Sequence, residues 1–136
     1  MQPLFEKVIA PLLDALPDTV IVVDEAGSIL FANQAILPLL GHTPADLIDR
    51  PLSTLLPPNV RAAHERMIGA FWQRPAPRAM GERPFLHALH KDGEEVPVTI
   101  SLAPIMLQGQ RCCVAVLRDA SSMQNRITNV LGRIQI

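Results

Sequence analysis

The sequence predicts an α+β domain in which strands near both ends of the chain enclose a helical middle. Three observations carry this. Tight-turn signals separate β-rich runs near the start, at Ala26-Gly27-Ser28, and twice near the end, at Asp92-Gly93 and Gly109. Between these runs, residues 33–73 read as capped short helices followed by one longer helix. That longer helix, Pro58–Gln73 (PNVRAAHERMIGAFWQ), carries a histidine in the middle of its apolar face. Val60, Met67, Ile68 and Phe71 fall within about 60° of His64 at 100° per residue. Ala62, Arg66, Gly69 and Gln73 lie opposite.

The elements follow in order. Leu4, Phe5, Val8, Ile9, Leu12, Leu13 and Leu16 form a helical stripe, which Pro11 kinks or restarts as a first-turn residue. Pro17-Asp18 ends it. Thr19–Asp24 (TVIVVD) is β-branched and strand-like, and Ser28–Ala32 (SILFA) returns as its hairpin partner. Asn33 is the expected cap of a short helix running to Leu40 and closed by Gly41. Thr43 caps the next, with Pro44 in its first turn, and Pro51–Leu56 forms a further helical turn. Arg74-Pro75-Ala76-Pro77 stops the long helix.

Three strands close the domain: Pro84–His90, Glu95–Ile105 and Arg111–Arg118. The second alternates, with Val96, Val98, Ile100 and Leu102 on one face. The third, RCCVAVLR, is apolar on both faces, as a central covered strand requires. Counting back across Asp92-Gly93 pairs Lys91 with Glu94 and His87 with Val98, which turns His87 toward the face of Val98. From Ser121 onward, Met123, Ile127, Val130 and Ile134 recur at heptad a/d spacing. This suits either a helix packed on its own domain or an output helix paired with its copy.

Composition sets the outer limits. A chain of 136 residues with 49% apolar residues supports one domain with a substantial core. A formal net charge of −1 and the lack of any Lys/Arg cluster argue against a nucleic-acid partner. Glu6, Asp14, Asp18 and Asp24 interrupt the N-terminal third, so no membrane span or signal peptide is expected and the segment reads as cytoplasmic. Cys112 and Cys113 are adjacent, so on a strand they point to opposite faces and make neither a disulfide nor a metal motif. Paired carboxylates, a nucleophile–base set and a phosphate-cradling glycine loop are all missing, so an enzyme is not expected.

Four local signatures, VVDEAGSILFANQA, LLGHTPADLIDRPLSTLLPP, HKDGEEVPVTISLAPI and AVLRDAS, occur in order with fitting elements between them. Together they resemble a PAS sensor domain from about Leu13 to Ser121. The resemblance implies a five-stranded antiparallel sheet of order 2-1-5-4-3 whose helices enclose a cavity on one face. It divides the chain into an N-terminal amphipathic dimerisation helix (1–17), the sensor domain (18–119) and a C-terminal signalling helix (120–136). It also implies homodimerisation through the terminal helices and an attached C-terminal effector, a histidine kinase or a cyclic-dinucleotide enzyme.

The segment around His64 is similar to heme-binding oxygen-sensor PAS domains of sensor kinases and cyclic-di-GMP phosphodiesterases. These place the proximal heme histidine on this helix soon after a Leu-(Met/Ile)-Pro run, and here Leu56-Pro57-Pro58 precedes Arg61-Ala62-Ala63-His64. That resemblance implies a b-type heme with His64 as iron ligand, walled by Met67, Ile68, Val98, Ile100 and Leu102, with Arg78 near a propionate. The distal arginine of that subfamily aligns with Pro84, one residue from Arg83; its distal methionine aligns with Glu82, near Met80. His87 is a candidate distal group. Two alternatives stay open: a cofactor-free dimerisation or interaction module, and a cavity for a flavin or small metabolite.

Overall fold

The computed structural model describes residues 5–80 and 86–126, with side-chain surroundings given from residue 7 onward. Six strands form one antiparallel sheet: β1 (Thr19–Asp24), β2 (Ile29–Ala32), β3 (Arg78–Met80), β4 (Leu86–Leu89), β5 (Glu95–Leu107) and β6 (Gln110–Asp119). Before the sheet a π-helical turn, Phe5–Ile9, runs into α1 (Ala10–Asp14), with Pro11 in its first turn as expected. Between β2 and β3 lie α2 (Ile36–Leu40), α3 (Pro44–Leu47), two 3₁₀ turns and α4 (Arg61–Gln73). A helical stretch from Ser121 is described through Arg126; Ile127, Val130 and Ile134 lie outside the described residues.

Strand order is β2-β1-β6-β5-β3, with β4 also on β5. The expected order 2-1-5-4-3 is therefore kept with one change: two segments share the outermost position. β3 pairs Arg78 with Leu102 and Met80 with Ile100, while β4 pairs Leu86 with Val98. Arg78-Ala79-Met80 has no β-branched residue and follows two prolines, so its strand state comes from ladder bonds to β5, not from propensity.

Alternation along the central strands assigns two cores. Ile21 and Val23 of β1 and Cys113, Ala115 and Leu117 of β6 face the helices α2–α4 with Ile36, Leu40, Leu47, Leu55 and Phe71. Val22 and Cys112 face the other way, where Ala10 and Leu13 of the N-terminal segment cover them. Both cysteines are free and buried, one in each core. The central strand is thus covered on both sides, as its two-faced apolar pattern requires.

Asn33 does not cap α2. It is fully buried, and its side-chain amide donates to the carbonyls of Leu13 (2.7 Å) and Asp18 (3.0 Å) while its oxygen accepts from Val20 N–H (2.8 Å). One side chain so ties the N-terminal helix to β1. Gly41 closes α2 at φ 81°, and a Cβ there would lie 2.6 Å from the His90 ring. The β4–β5 loop docks on this point, Lys91 N–H donating to Leu40 O at 2.8 Å.

That loop also corrects the expected register. Instead of a two-residue turn, His90 N–H donates to Glu94 O (2.8 Å), and Leu89 pairs with Glu95. The slip places His87 opposite Pro97, not Val98, and turns it to the other face. Val98 is fully buried and His87 exposed. Asn33→Ala would orphan one amide and two carbonyls. Urea denaturation should show a loss of roughly 2–4 kcal/mol, the cost of leaving such groups unpaired.

Candidate ligand cavity

The inner face of the sheet and α4 enclose a cavity of about 170 Å³. Val23, Cys113, Ala115 and Leu102 form its floor; His64, Met67, Ile68, Phe71 and Trp72 form its helical wall; Asp24, Gly27, Leu52, Arg78 and Met80 complete it. The lining is predominantly apolar because small sheet residues, alanine and cysteine, stand opposite large helical ones.

α4 reaches this place from a 3₁₀ turn, Pro58–Val60, with Arg61 Nε donating to Leu56 O at 3.2 Å. The turn breaks the helical phase, so Val60 is exposed and does not join the buried face expected for it. Phe71 is the one buried side chain of α4, while Met67 is 48% exposed at the rim. Trp72 packs edge-on against Phe71, ring centroids 5.0 Å apart. Arg78 lies over the Phe71 ring at 5.1 Å and Arg111 over the Trp72 ring at 4.8 Å, so a cation caps each end of the aromatic pair.

His64 is half-buried, and among the described residues no hydrogen bond reaches its ring. Burial pushes its pKa below the ordinary imidazole value, against a weaker pull upward from Glu65. At neutral pH the ring is therefore uncharged, the form that binds a metal. Burial raises the Cys113 thiol above its usual range and keeps it protonated.

Of the residues singled out from the sequence, His64, Met67, Ile68, Arg78, Met80 and Leu102 line this one cavity. Val98 and Ile100 instead contribute to the core beside it. His87 lies off the cavity on the exposed side of β4, and Arg83, with Glu82 and Pro84, lies outside the described residues. Sequence reasoning missed Val23, Asp24, Trp72, Cys113 and Ala115. The alternation of TVIVVD and RCCVAV separates two faces but does not say which one holds a cavity.

The residues fit a heme in chemistry: an uncharged imidazole opening on an apolar space, and at Arg78 a guanidinium in no ion pair among the described residues. Among those residues no three His, Cys, Asp or Glu side chains gather as a metal site, so a group needing one protein ligand suits the cavity better than a bare ion. In volume the cavity falls below the roughly 300 Å³ at which ligand pockets begin. A porphyrin therefore requires part of the α4 wall to move outward, and Phe71 is the one buried side chain of that helix.

His64 and His42 both have pKa values lowered first by burial. The unfolded chain then binds more protons than the native one as pH falls through and below the ordinary histidine range, so stability is lost on acidification. Thermal melting between pH 7.5 and 5.5 should show a falling midpoint, with a smaller fall in His64→Gln.

Comparison with known proteins bears on this geometry. A family model described as the PAS fold matches residues 10–120. An uncharacterized protein of Azorhizobium caulinodans is 31% identical over 119 residues, 87% of this chain and 16% of that protein. Neuronal PAS domain-containing protein 2 of Mus musculus is 50% identical over 46 residues, 34% of this chain and 6% of that protein. The chain thus spans a small part of the length of the relatives it matches. Among solved structures, a PAS domain from a two-component sensor histidine kinase superposes with a TM-score of 0.70 at 15% identity, covering 85% of this chain and 96% of that one. With the family model spanning most of the sheet and both walls of the cavity, this chain belongs to the PAS family.

Proposed function

We propose that this PAS domain binds heme b through His64 and reports gas or redox state to an attached effector. The observation that supports it is the uncharged, half-buried imidazole facing an apolar cavity. Heme, when bound, supplies an iron that takes up a diatomic gas or changes oxidation state. His64 would hold the iron through its free ring nitrogen, and Arg78 would meet the propionates. Ile68, Met80 and Leu102 exclude water. Leu102 pairs with Ala115 across the β5–β6 ladder, which ends at the pair Val98–Asp119 just before the Ser121 helix. A displacement of Leu102 would pass along that ladder to the terminal helix. This role has no catalytic step, and the effector is a histidine kinase or a cyclic-dinucleotide enzyme in the cytoplasm. No described helix is long and apolar enough to cross a membrane.

The same reading includes a homodimer through the terminal helices. Val8, Leu12 and Leu16 are 48%, 64% and 45% exposed although they belong to an apolar stripe, and Met123 is 48% exposed. The small volume favours a second reading, in which a single-ring metabolite occupies the site, since an apolar cavity of ~150 Å³ holds a benzene-sized guest.

Hemin titration should give a Soret band in the wild type, none in His64→Ala, and an intact one in His87→Ala. A wild type that takes up no hemin would leave the small-ligand or cofactor-free module as the better account. Val8→Glu combined with Leu12→Glu should lower the sedimentation coefficient to that of a monomer; an unchanged coefficient excludes that face from self-association.

A further inference from the structure

Trp72 is the wall residue whose backbone is held from outside the cavity. It is the penultimate residue of α4, where the last carbonyls have no partner within the helix. Arg111, at the start of β6, supplies one: its terminal guanidinium nitrogen donates to Trp72 O at 3.1 Å. The same guanidinium lies 4.8 Å over the indole ring. Its Nε donates to Glu25 in the β1–β2 turn at 2.7 Å, and this bond holds the Glu25 carboxyl below its usual pKa range. One side chain thus joins the end of α4, the β1–β2 turn and β6.

We propose that Arg111 is a positioning residue that latches Trp72 as the movable wall of the cavity, and that entry of a ligand too large for the closed cavity requires its release. The inference rests on the cavity being the ligand site. Two observations make Trp72 the wall that gives way. Phe71, its neighbour, is buried within the core, whereas Trp72 packs against that core and is partly exposed. And the Arg111 and Glu25 side chains are 41% and 53% exposed, so their pairing is weak and screened by salt. A latch of that strength holds the closed form and opens at small cost.

The chain has one tryptophan and no tyrosine, so its indole emission reports Trp72 alone. In the full chain without ligand, Arg111→Gln should red-shift that emission and raise its quenching by acrylamide. Arg111→Lys, which keeps the charge but loses the planar stack, should fall between. Glu25→Gln should give a smaller shift, reproduced in the wild type by 1 M NaCl, with salt having no effect on Arg111→Gln. Hemin association should be about two- to fivefold faster in Arg111→Gln, the factor matching loss of an exposed ion pair. Unchanged emission and quenching in a folded Arg111→Gln overturns the latch, and shifted emission with unchanged hemin association overturns its part in entry. If Arg111→Gln does not fold, the exposed Glu25→Gln and the salt response decide. If the wild type takes up no hemin, the heme reading fails, and the emission and salt results still decide whether Arg111 holds Trp72.

Discussion

β6 is apolar on both faces, and that one constraint dictates how the rest of the chain is arranged. Cys113, Ala115 and Leu117 need cover on one side and Cys112 and Val114 on the other. A strand placed centrally in an antiparallel sheet gets its backbone partners from β1 and β5, but its side chains need two separate layers. The long excursion between β2 and β3 supplies the first layer. The N-terminal segment supplies the second, and Asn33 fixes it there by bonding the carbonyls of Leu13 and Asp18 from inside the sheet. A buried amide with all three bonds made is stabilising; the same amide with one partner missing is a liability. The N-terminal cover and the sheet are for that reason a single unit.

The cavity follows from unequal side-chain sizes across the inner layer. Gly27, Ala115 and Cys113 bring little volume from the sheet, while Phe71, Trp72 and Met67 on α4 span the gap from above. An apolar void forfeits dispersion contacts along its whole lining. The domain tolerates this because the core around Ile21, Ile36, Leu40 and Leu47 is fully buried, and α4 joins it through Phe71.

Much of this was legible beforehand, and the exceptions have physical causes. The strands TVIVVD and RCCVAVLR, the Thr43 cap and the left-handed Gly41 are local chemistry, and local chemistry reads from sequence. His64 was found because its spacing to Ile68 and Phe71 is helical. Asn33 was misread because an asparagine before a helix is ordinarily a cap, and only the tertiary return of residues 13–18 gives it a better use. The register of His87 failed by one residue because His90, Asp92 and Glu94 close a longer loop than the Asp-Gly signal suggests, using bonds from Asp92 N–H to His90 Nδ1 and from Glu94 N–H to Asp92 Oδ1. One residue of slip is a whole face in a strand. β3 and the cation-capped aromatic pair were invisible for a different reason: Arg111 meets Trp72 across a separation of 39 residues, and Arg78 returns to Phe71 after the helix stop, in a strand formed by pairing with β5, and no local pattern encodes either pairing.

The two ends of the domain converge on the same strands. Asn33 carries the N-terminal helix to β1, and Ala120 N–H donates to Pro97 O at 2.8 Å, seating the start of the C-terminal helix on β5. Leu102, in the cavity floor, lies on that same strand. Its neighbours in the ladder form an unbroken run of pairs with β6 from Leu107–Gln110 to Val98–Asp119. A strand paired along its whole length moves as a unit, because shifting one residue against its partner breaks bonds at every other. Leu102 and Pro97, whose carbonyl accepts from Ala120 N–H, thus lie on one strand. The cavity borders the strand on which the start of the C-terminal helix is seated, which is the coupling that the proposed sensing role requires.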